Sequence, residues 1–404
     1  MIFYVLVTVI SALVTFGLSL LIWKLSTKFR LYPAIRARDV HTTPTPRLGG
    51  VAMFLGILVA FAVASQISWF RLVFVNPGQI YAILGAALII VLIGVADDIW
   101  DLDWVTKLAG QMIAAGLLAW QGVQLLSLPI GGITVGSAYM SLVLTVLAVV
   151  LVMNAINFID GLDGLVAGVA IIANGVFFIY SYILARVIGE AEYFNLASLI
   201  TAILIGACVG FLPLNWHPAK LFMGDAGALL VGLLMATSAI SVTSNIDPFS
   251  LQSGKFLAPA FIPILLPLTI LVVPLIDFAL AVVRRLRAGK SPFSADRKHL
   301  HHRLLDMGHS HFHAVLIFYA WSAVIAFGGL LLMVIPVVWA FAFVIVGLAG
   351  CAWLTLAPLT RRKALEKAAQ STAVSDAGAA IAAQLDPLDV ASVKKESPRA
   401  KETR

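Results

Sequence analysis

Charge is scarce in this sequence. Lysine, arginine, aspartate and glutamate together make up only 12% of the 404 residues, whereas hydrophobic residues make up 61%. The mean hydropathy is +1.00. A soluble domain of this size needs a charged surface that such a composition cannot supply. The composition instead predicts an all-α, polytopic membrane protein.

Cysteine is also rare, since the chain has only Cys208 and Cys351, and both lie in apolar runs. This excludes a disulfide framework and favours packing over metal binding. The net charge of +7 does not indicate a nucleic-acid partner, because the basic residues are concentrated in particular loops, which is a topology signal. No basic segment precedes the first apolar run, so we expect Ile2–Trp23 to be a transmembrane helix and not a cleaved signal peptide.

Apolar windows of roughly 20 residues predict about eleven transmembrane helices. They lie near residues 2–23, 49–67, 79–96, 107–124, 139–157, 165–186, 194–213, 226–244, 258–283, 312–334 and 337–357. Basic residues are concentrated after the first span, after the ninth and in the tail. By the positive-inside rule these segments are cytoplasmic, with the N-terminus outside and the C-terminus in the cytoplasm.

The chain divides into two predicted parts. Residues 1–358 form an integral membrane domain, and residues 359–404 form a cytoplasmic tail that begins as a helix and frays into disorder. Within the first part, residues 125–137 contain Pro129 and Gly131-Gly132 and predict a short external hairpin.

Polar residues fall on one side of this topology. They form four clusters, which are Asp97 to Lys107, Asn154 to Leu165, Asn215 to Gly227 and Ser294 to Leu304. The connections predicted to be external contain few polar groups. This asymmetry favours an enzyme with a cytoplasmic active site over a transporter, which would place polar groups near mid-membrane.

In the second cluster, Asn154, Asn157, Asp160 and Asp163 recur at every third position between two apolar runs. Steps of three on a helix drift by about 60°, so the four cannot share one face, although neighbours in the series can converge. Carboxylates and amides at a membrane boundary are costly to bury alone, which predicts a cation, a phosphate or a nucleotide as their partner. The alternative interpretation is a polar turn with an aspartate cap.

The first cluster places Asp97, Asp98 and Asp101 within about one helical turn, where like charges need a cation, a basic partner or water. A solvated acidic loop is the alternative. Lys107 either extends its ammonium to the membrane surface or supplies a positive charge to a phosphate.

Asp225 precedes an apolar run and is either the N-cap of a helix or a ligand at a helix N-terminus, where phosphate also binds well. The flanking Gly224 and Gly227 would let a ligand approach the backbone. Upstream, Asn215 lies in a tight polar turn that could orient Asp225 or contact the ligand.

The fourth cluster is strongly basic and contains His299, His301, His302 and Arg303. His299 and His302 are three apart, which permits a metal site, but the neighbouring arginines and lysine disfavour a divalent cation. Binding of a diphosphate is the better match. A positive-inside loop that includes histidines by chance is the alternative.

Carboxylates for Mg²⁺, a basic loop for phosphates and a lipid-facing body together predict phosphoryl transfer between a nucleotide and a lipid.

The chain resembles the polyprenyl-phosphate N-acetylhexosamine-1-phosphate transferases, which are members of glycosyltransferase family 4 and of the superfamily of phospho-MurNAc-pentapeptide translocase. The resemblance covers roughly residues 36–330. The matching motifs are Asp39-Val40-His41 with Pro44 to Gly50, Asp97-Asp98, Asn154 to Leu165, Asn215 to Gly227, and His299 to Leu304.

The resemblance implies that a polyprenyl phosphate attacks the β-phosphorus of a UDP-N-acetylhexosamine and that UMP leaves. It implies Asp225 as the ligand of Mg²⁺, with Mn²⁺ as an alternative, and catalytic roles for Asp97, Asp98, Asp160 and Asp163. Substrate contacts would come from Lys107, Asn154, Asn157, Asn215, His299, His301, His302 and Arg303. Which carboxylate is the general base is left open.

The pattern His-x-His-His-Arg-Leu implies UDP-GlcNAc as the donor, with other UDP-N-acetylhexosamines left open. The family usually has serine where this chain has Ala228, so a hydroxyl contact there is missing. The resemblance further implies a bacterial plasma membrane enzyme that begins synthesis of a cell-wall polysaccharide, with a homodimer left open. The competing hypotheses are an intramembrane Mg²⁺-dependent prenyltransferase and a lipid-linked sugar transporter.

Overall fold

The computed structural model describes residues 1–29, 45–125, 127–128, 133–134, 137–188, 191–243 and 304–357, with a few positions between 272 and 289. Its helices are α1 Ile2–Phe29, α2 Gly49–Ala64, α3 Pro77–Trp100, α4 Trp104–Trp120, α5 Ala138–Ile159, α6 Leu165–Ile188, α7 Ala191–Asn215, α8 Gly224–Thr243, α9 His311–Val334 and α10 Val337–Ala357. A 3-10 helix, Ser68–Phe74, follows α2. Two short strands, β1 Ser127–Leu128 and β2 Ile133–Thr134, lie between α4 and α5.

Eight of these described helices are long and apolar enough to cross a membrane, namely α1, α3 and α5 to α10. Helix α2 and the 3-10 helix meet the same criterion only as a pair, which is bent by 108°. Helices suit such sequences because they satisfy their own backbone hydrogen bonds in lipid. The prediction of a helical polytopic membrane protein is confirmed. The count of about eleven spans stays a prediction, because span 258–283 lies largely outside the described residues.

The bounds of most predicted spans differ from those of the observed helices by a few residues, and two of these differences have a local cause. The span predicted at 49–67 stops at Ala64, where the chain turns into the 3-10 helix. The span predicted at 107–124 begins earlier, at Trp104, because Asp103 caps the helix and accepts hydrogen bonds from the backbone N–H groups of Val105 and Thr106. A hydrogen bond from the Thr106 hydroxyl, together with these two backbone bonds, holds the pKa of the exposed Asp103 below its usual value.

The predicted hairpin is confirmed, since β1 and β2 pair antiparallel with Ser127 opposite Thr134. The side of the membrane on which it lies stays a prediction. Cys208 and Cys351 are both buried, as expected for packing residues. Residues 1–352 form one compact unit, and the predicted tail lies outside the described residues.

Helix α8 lies at the centre of the bundle, where it packs against α2, α3, α5, α6 and α7. It is the most enclosed of the candidate spans, because small and apolar residues cover its whole circumference. Helix α1 packs on α7 and α2 through a buried stripe of small polar residues, Ser11, Thr15, Ser19 and Ser26. Small residues allow helices to approach closely in a membrane.

Backbone hydrogen bonds join the N-terminal ends of α2 and α8. The N–H of Phe222 donates to the carbonyl of Pro46 at 2.8 Å, and the N–H groups of Gly49 and Gly50 donate to the carbonyls of Phe222 and Met223 at 3.0 Å. A Cβ on Gly50 would overlap the backbone of Gly227. The two helix N-termini are therefore in direct backbone contact, which no larger residue at position 50 permits.

We predict that Gly50→Ala lowers the stability of the protein by about 1–3 kcal/mol, the usual cost of overpacking. The measurement is thermal unfolding in detergent. Gly116→Ala is the matched control, since a Cβ there meets nothing within 4 Å and alanine favours the helix. Equal melting temperatures for the two variants would contradict the close contact.

Candidate active site

Asp97 and Asp98 lie in the last turn of α3, and both are buried, with exposures of 1% and 6%. Helix α3 ends at Trp100, and Asp101 follows in a left-handed conformation with φ of 52°. Asp101 is exposed. The acidic motif is therefore split, because two carboxylates enter the protein and the third lies at its surface.

Lys107 lies between two of the predicted site residues. Its Nζ is 2.5 Å from Asp97 Oδ2 and 3.1 Å from Asp225 Oδ2. The Asp103 cap begins α4 and places Lys107 in its first turn, facing the end of α3. The alternative in which Lys107 only extends to the membrane surface is wrong, because its ammonium pairs with carboxylates and its side chain is only 23% exposed.

Asp225 lies in the first turn of α8, which begins at Gly224, so the interpretation of Asp225 as an N-cap is wrong. Its backbone N–H donates to Asp98. Gly224 has φ of +69°, and a Cβ there would overlap Asp98 Oδ2 and the carbonyl oxygen of Arg47. The sequence predicts that Gly224 lets a ligand approach the backbone. In the structure, Gly224 instead lets the carboxylate of Asp98 and the carbonyl of Arg47 approach it.

The carboxylates of Asp97, Asp98 and Asp225 repel one another. Lys107 offsets part of this repulsion, and Arg47 attracts Asp98. Even so, Asp98 Oδ2 is buried and accepts no hydrogen bond from the described part of the chain. A buried acceptor without a partner is unfavourable by about 1–3 kcal/mol, and by more when it is charged.

This orphaned oxygen and its acidic neighbours fit an oxygen-liganded divalent cation. Within the described residues, no three acidic, histidine or cysteine side chains form a complete metal site. Mg²⁺ needs no such set, because it usually takes one or two protein carboxylates and completes its shell with water and substrate phosphates. The cluster of Asp97, Asp98, Lys107 and Asp225 is the carboxylate centre of the site.

Asp163 has a different environment, since it is buried and its Oδ2 is already bonded. That oxygen lies 2.7 Å from Nδ1 of His217 and accepts the backbone N–H of Ala219 at 3.1 Å. These bonds fix the connection between α7 and α8. In the structure, Asp163 stabilises this connection through its contacts with His217 and Ala219. Its catalytic role, which the resemblance implies, stays a prediction.

Asn215 links the same connection to the turn between α5 and α6. Its Oδ1 accepts the N–H of Gly164 at 2.9 Å, and its Nδ2 donates to the carbonyl of Leu221 at 3.0 Å. The hydroxyl of Tyr319, in α9, donates to the carbonyl of Gly164 at 2.6 Å. We did not single out Tyr319 from the sequence, because a tyrosine in an apolar run gives no sign of a partner so distant along the chain.

The side chain of Asn154 is hydrogen-bonded to α4. Its Nδ2 donates to Gln111 Oε1 at 2.5 Å and to the carbonyl of Val150 at 2.8 Å. Gln111 lies one turn beyond Lys107 and is buried. Asn154 therefore aligns α5 with the helix that carries Lys107, and its predicted contact with substrate is untested.

Asn157 and Asp160 are partly exposed at the end of α5. The guanidinium of Arg285 lies 5.1 Å from the ring of Phe158 between them. This contact brings a basic residue from the segment after the ninth predicted span to the polar end of α5. The predicted residues His299, His301, His302 and Arg303 lie outside the described residues.

Comparison with known proteins gives a consistent family. A model described as glycosyl transferase family 4 matches residues 80–243. This range includes both carboxylates of α3, Lys107, the stretch from Asn154 to Leu165, and Asp225.

Curated relatives extend the match over most of the chain. The decaprenyl-phosphate N-acetylglucosaminephosphotransferase of Mycobacterium leprae is 41% identical over 327 residues, which are 80% of this chain and 82% of that protein. The enzyme of the same name from Mycobacterium tuberculosis is 41% identical, over 74% of each chain. The probable undecaprenyl-phosphate N-acetylglucosaminyl 1-phosphate transferase of Bacillus subtilis is 31% identical, over 70% of this chain and 72% of that protein.

We predict that Asn215→Ala destabilises the protein by about 2–4 kcal/mol, because it leaves the N–H of Gly164 and the carbonyl of Leu221 without their partner. Thermal unfolding in detergent measures the loss. Asn174→Ala is the matched control, since among the described residues the buried amide of Asn174 donates only to the carbonyl of Ala170 in its own helix. A loss no larger than that of the control would show that Asn215 does not join the two connections.

Proposed function

The chain belongs to glycosyl transferase family 4 and, within it, to the polyprenyl-phosphate N-acetylglucosamine-1-phosphate transferases, and we propose that its donor is UDP-GlcNAc and its second product UMP. The chain transfers N-acetylglucosamine 1-phosphate to a polyprenyl phosphate, as the names of its relatives describe. It is therefore a phosphotransferase, and neither a prenyltransferase nor a transporter.

The observation that carries the proposal is the carboxylate centre at the end of an apolar bundle. A reaction between a soluble nucleotide and a lipid phosphate needs a site at the membrane boundary with groups for several phosphate charges. Asp97, Asp98 and Asp225 lie at the ends of candidate spans, and Lys107 lies among them.

In the proposed reaction, an oxygen of the polyprenyl phosphate attacks the β-phosphorus of UDP-GlcNAc. A new phosphorus–oxygen bond forms to the lipid phosphate. The bond from the β-phosphorus to the bridging oxygen breaks, and that oxygen leaves with UMP. A phosphate monoester is already ionised near neutral pH, so the demand on a general base is small.

The residues of the carboxylate centre have distinct tasks in this proposal. Asp225 and the orphaned oxygen of Asp98 would hold Mg²⁺, which would offset the charge of the transferring phosphoryl group and of the diphosphate. Lys107 supplies a donor to phosphate. Asp97 holds the ammonium of Lys107 in place through their 2.5 Å contact.

We place the site on the cytoplasmic side of a bacterial plasma membrane. The support is the positive-inside rule, because the basic residues Lys24, Lys28, Arg47 and Lys220 lie at or beside the connections that carry the site. This side is also where a soluble nucleotide sugar is available. The polyprenyl length, the polymer begun by the product and a homodimer remain predictions.

We expect purified protein in detergent to release UMP from UDP-GlcNAc only when polyprenyl phosphate and Mg²⁺ are both present. Chelation with EDTA should abolish the release, and Mn²⁺ should restore it in part. The same assay with UDP-GalNAc tests the donor. Release without the lipid would indicate hydrolysis, and a preference for UDP-GalNAc would contradict the proposed sugar.

We predict that Asp225→Asn reduces turnover by at least about 100-fold, because one missing charged group in such a site typically removes that much of the rate. The protein should still insert and elute as wild type. Asp103→Asn is the matched control, since Asp103 is exposed and asparagine caps helices as well as aspartate. Normal turnover of Asp225→Asn at ordinary Mg²⁺ would remove Asp225 from the metal role.

A further inference from the structure

Lys107 shares its ammonium between two carboxylates with unequal surroundings. Asp97 is the nearer partner at 2.5 Å, and its side chain is only 1% exposed. Asp225 is the more distant partner at 3.1 Å, and its side chain is 27% exposed. The contact with Asp97 is therefore the stronger and better shielded, whereas solvent weakens the contact with Asp225.

The oxygen of Asp225 that contacts Lys107 belongs to the same carboxylate that the proposed function assigns to Mg²⁺. An ammonium and a divalent cation that both use this carboxylate compete for its charge. Lysine is suited to such competition, because its compact charge sits on a flexible stem and its three N–H donors can be redistributed among acceptors.

We propose that Lys107 is an exchangeable counter-ion, which competes with the divalent cation for Asp225 and, once displaced, remains on Asp97 and donates to a substrate phosphate. The inference rests on the proposed function, because it takes Mg²⁺ as the cation and phosphate as the final acceptor. The inference adds that Lys107 both opposes metal binding and assists the reaction.

The charges of the cluster support this exchange. Asp97, Asp98 and Asp225 carry three negative charges if all are ionised, and Lys107 offsets one of them. Arg47 interacts with Asp98 and is not a partner of the Lys107 contacts. Loss of Lys107 therefore removes one positive charge from beside Asp97 and Asp225 and increases the attraction of the centre for a divalent cation.

The test uses the full chain in detergent and compares wild type with Lys107→Gln. Mg²⁺ affinity is measured by calorimetric titration and by the shift in melting temperature with Mg²⁺. We expect Lys107→Gln to bind Mg²⁺ about three- to tenfold more tightly, as the loss of one competing ion pair would allow. In EDTA its melting temperature should be lower than that of wild type. At saturating Mg²⁺ its kcat should nevertheless fall.

Tighter metal binding together with slower turnover is the signature of the exchange. A purely structural lysine would give weaker binding and slower turnover together. Lys220→Gln is the matched control, because Lys220 is an exposed lysine at the same end of the bundle whose Nζ lies 5.2 Å from the ring of Trp23. Its Mg²⁺ affinity should equal that of wild type, which excludes a general effect of net charge.

Lys107→Arg gives a second test that does not depend on the folding of the glutamine variant. A guanidinium binds carboxylates through two parallel hydrogen bonds, so Mg²⁺ should bind about three- to tenfold more weakly.

Unchanged Mg²⁺ affinity in both variants, or weaker binding in Lys107→Gln, would overturn the inference. If these results accompany normal UMP release by wild type, the proposed function stands and only the inference fails. If wild type neither binds Mg²⁺ nor releases UMP, both fail.

Discussion

Burial of acidic side chains at the end of an apolar bundle is the constraint on which the site depends. Asp97 and Asp98 are almost wholly removed from solvent, and an ionised carboxylate in such a place is costly unless it is paired. The partners are Lys107 from α4, the backbone N–H of Asp225 from α8, and the charge of Arg47 before α2. Charge compensation therefore fixes how four segments of the chain meet.

Backbone contact makes this arrangement rigid. The strand-like bonds between residues 46–50 and 222–223 join the starts of α2 and α8, and Gly50 and Gly227 touch without side chains between them. Close-packed interiors transmit displacement rather than absorb it. The carboxylate of Asp225 is thus held against α3 and α4 by the frame of the bundle, which is the kind of preorganisation that phosphoryl transfer requires.

The sequence predicted the helices well because hydropathy and caps act locally. It predicted that the three described polar clusters lie at one end of the bundle, because each follows or precedes an apolar run. It did not predict the partners. The bonds of Asn154 with Gln111, of Asp163 with His217 and of Tyr319 with Gly164 join residues that are far apart in the chain. The place of Asp225 also depends on tertiary contacts, namely the backbone pairing of Gly49 and Gly50 with residues 222–223 and the ammonium of Lys107.

These contacts separate aspartates that the motifs alone treat alike. One oxygen of Asp163 is already bonded to His217 and to the N–H of Ala219, so this oxygen is a poor base and a poor metal ligand. Asp98 retains a buried oxygen with no hydrogen-bond donor among the described residues, and the Asp225 oxygen is paired with a flexible lysine. A cation gains most where a carboxylate is least satisfied by the protein. The contacts therefore separate a hydrogen-bonded frame around Asp163 and Asn215 from the carboxylates of Asp98 and Asp225, where we propose that the cation binds in competition with Lys107.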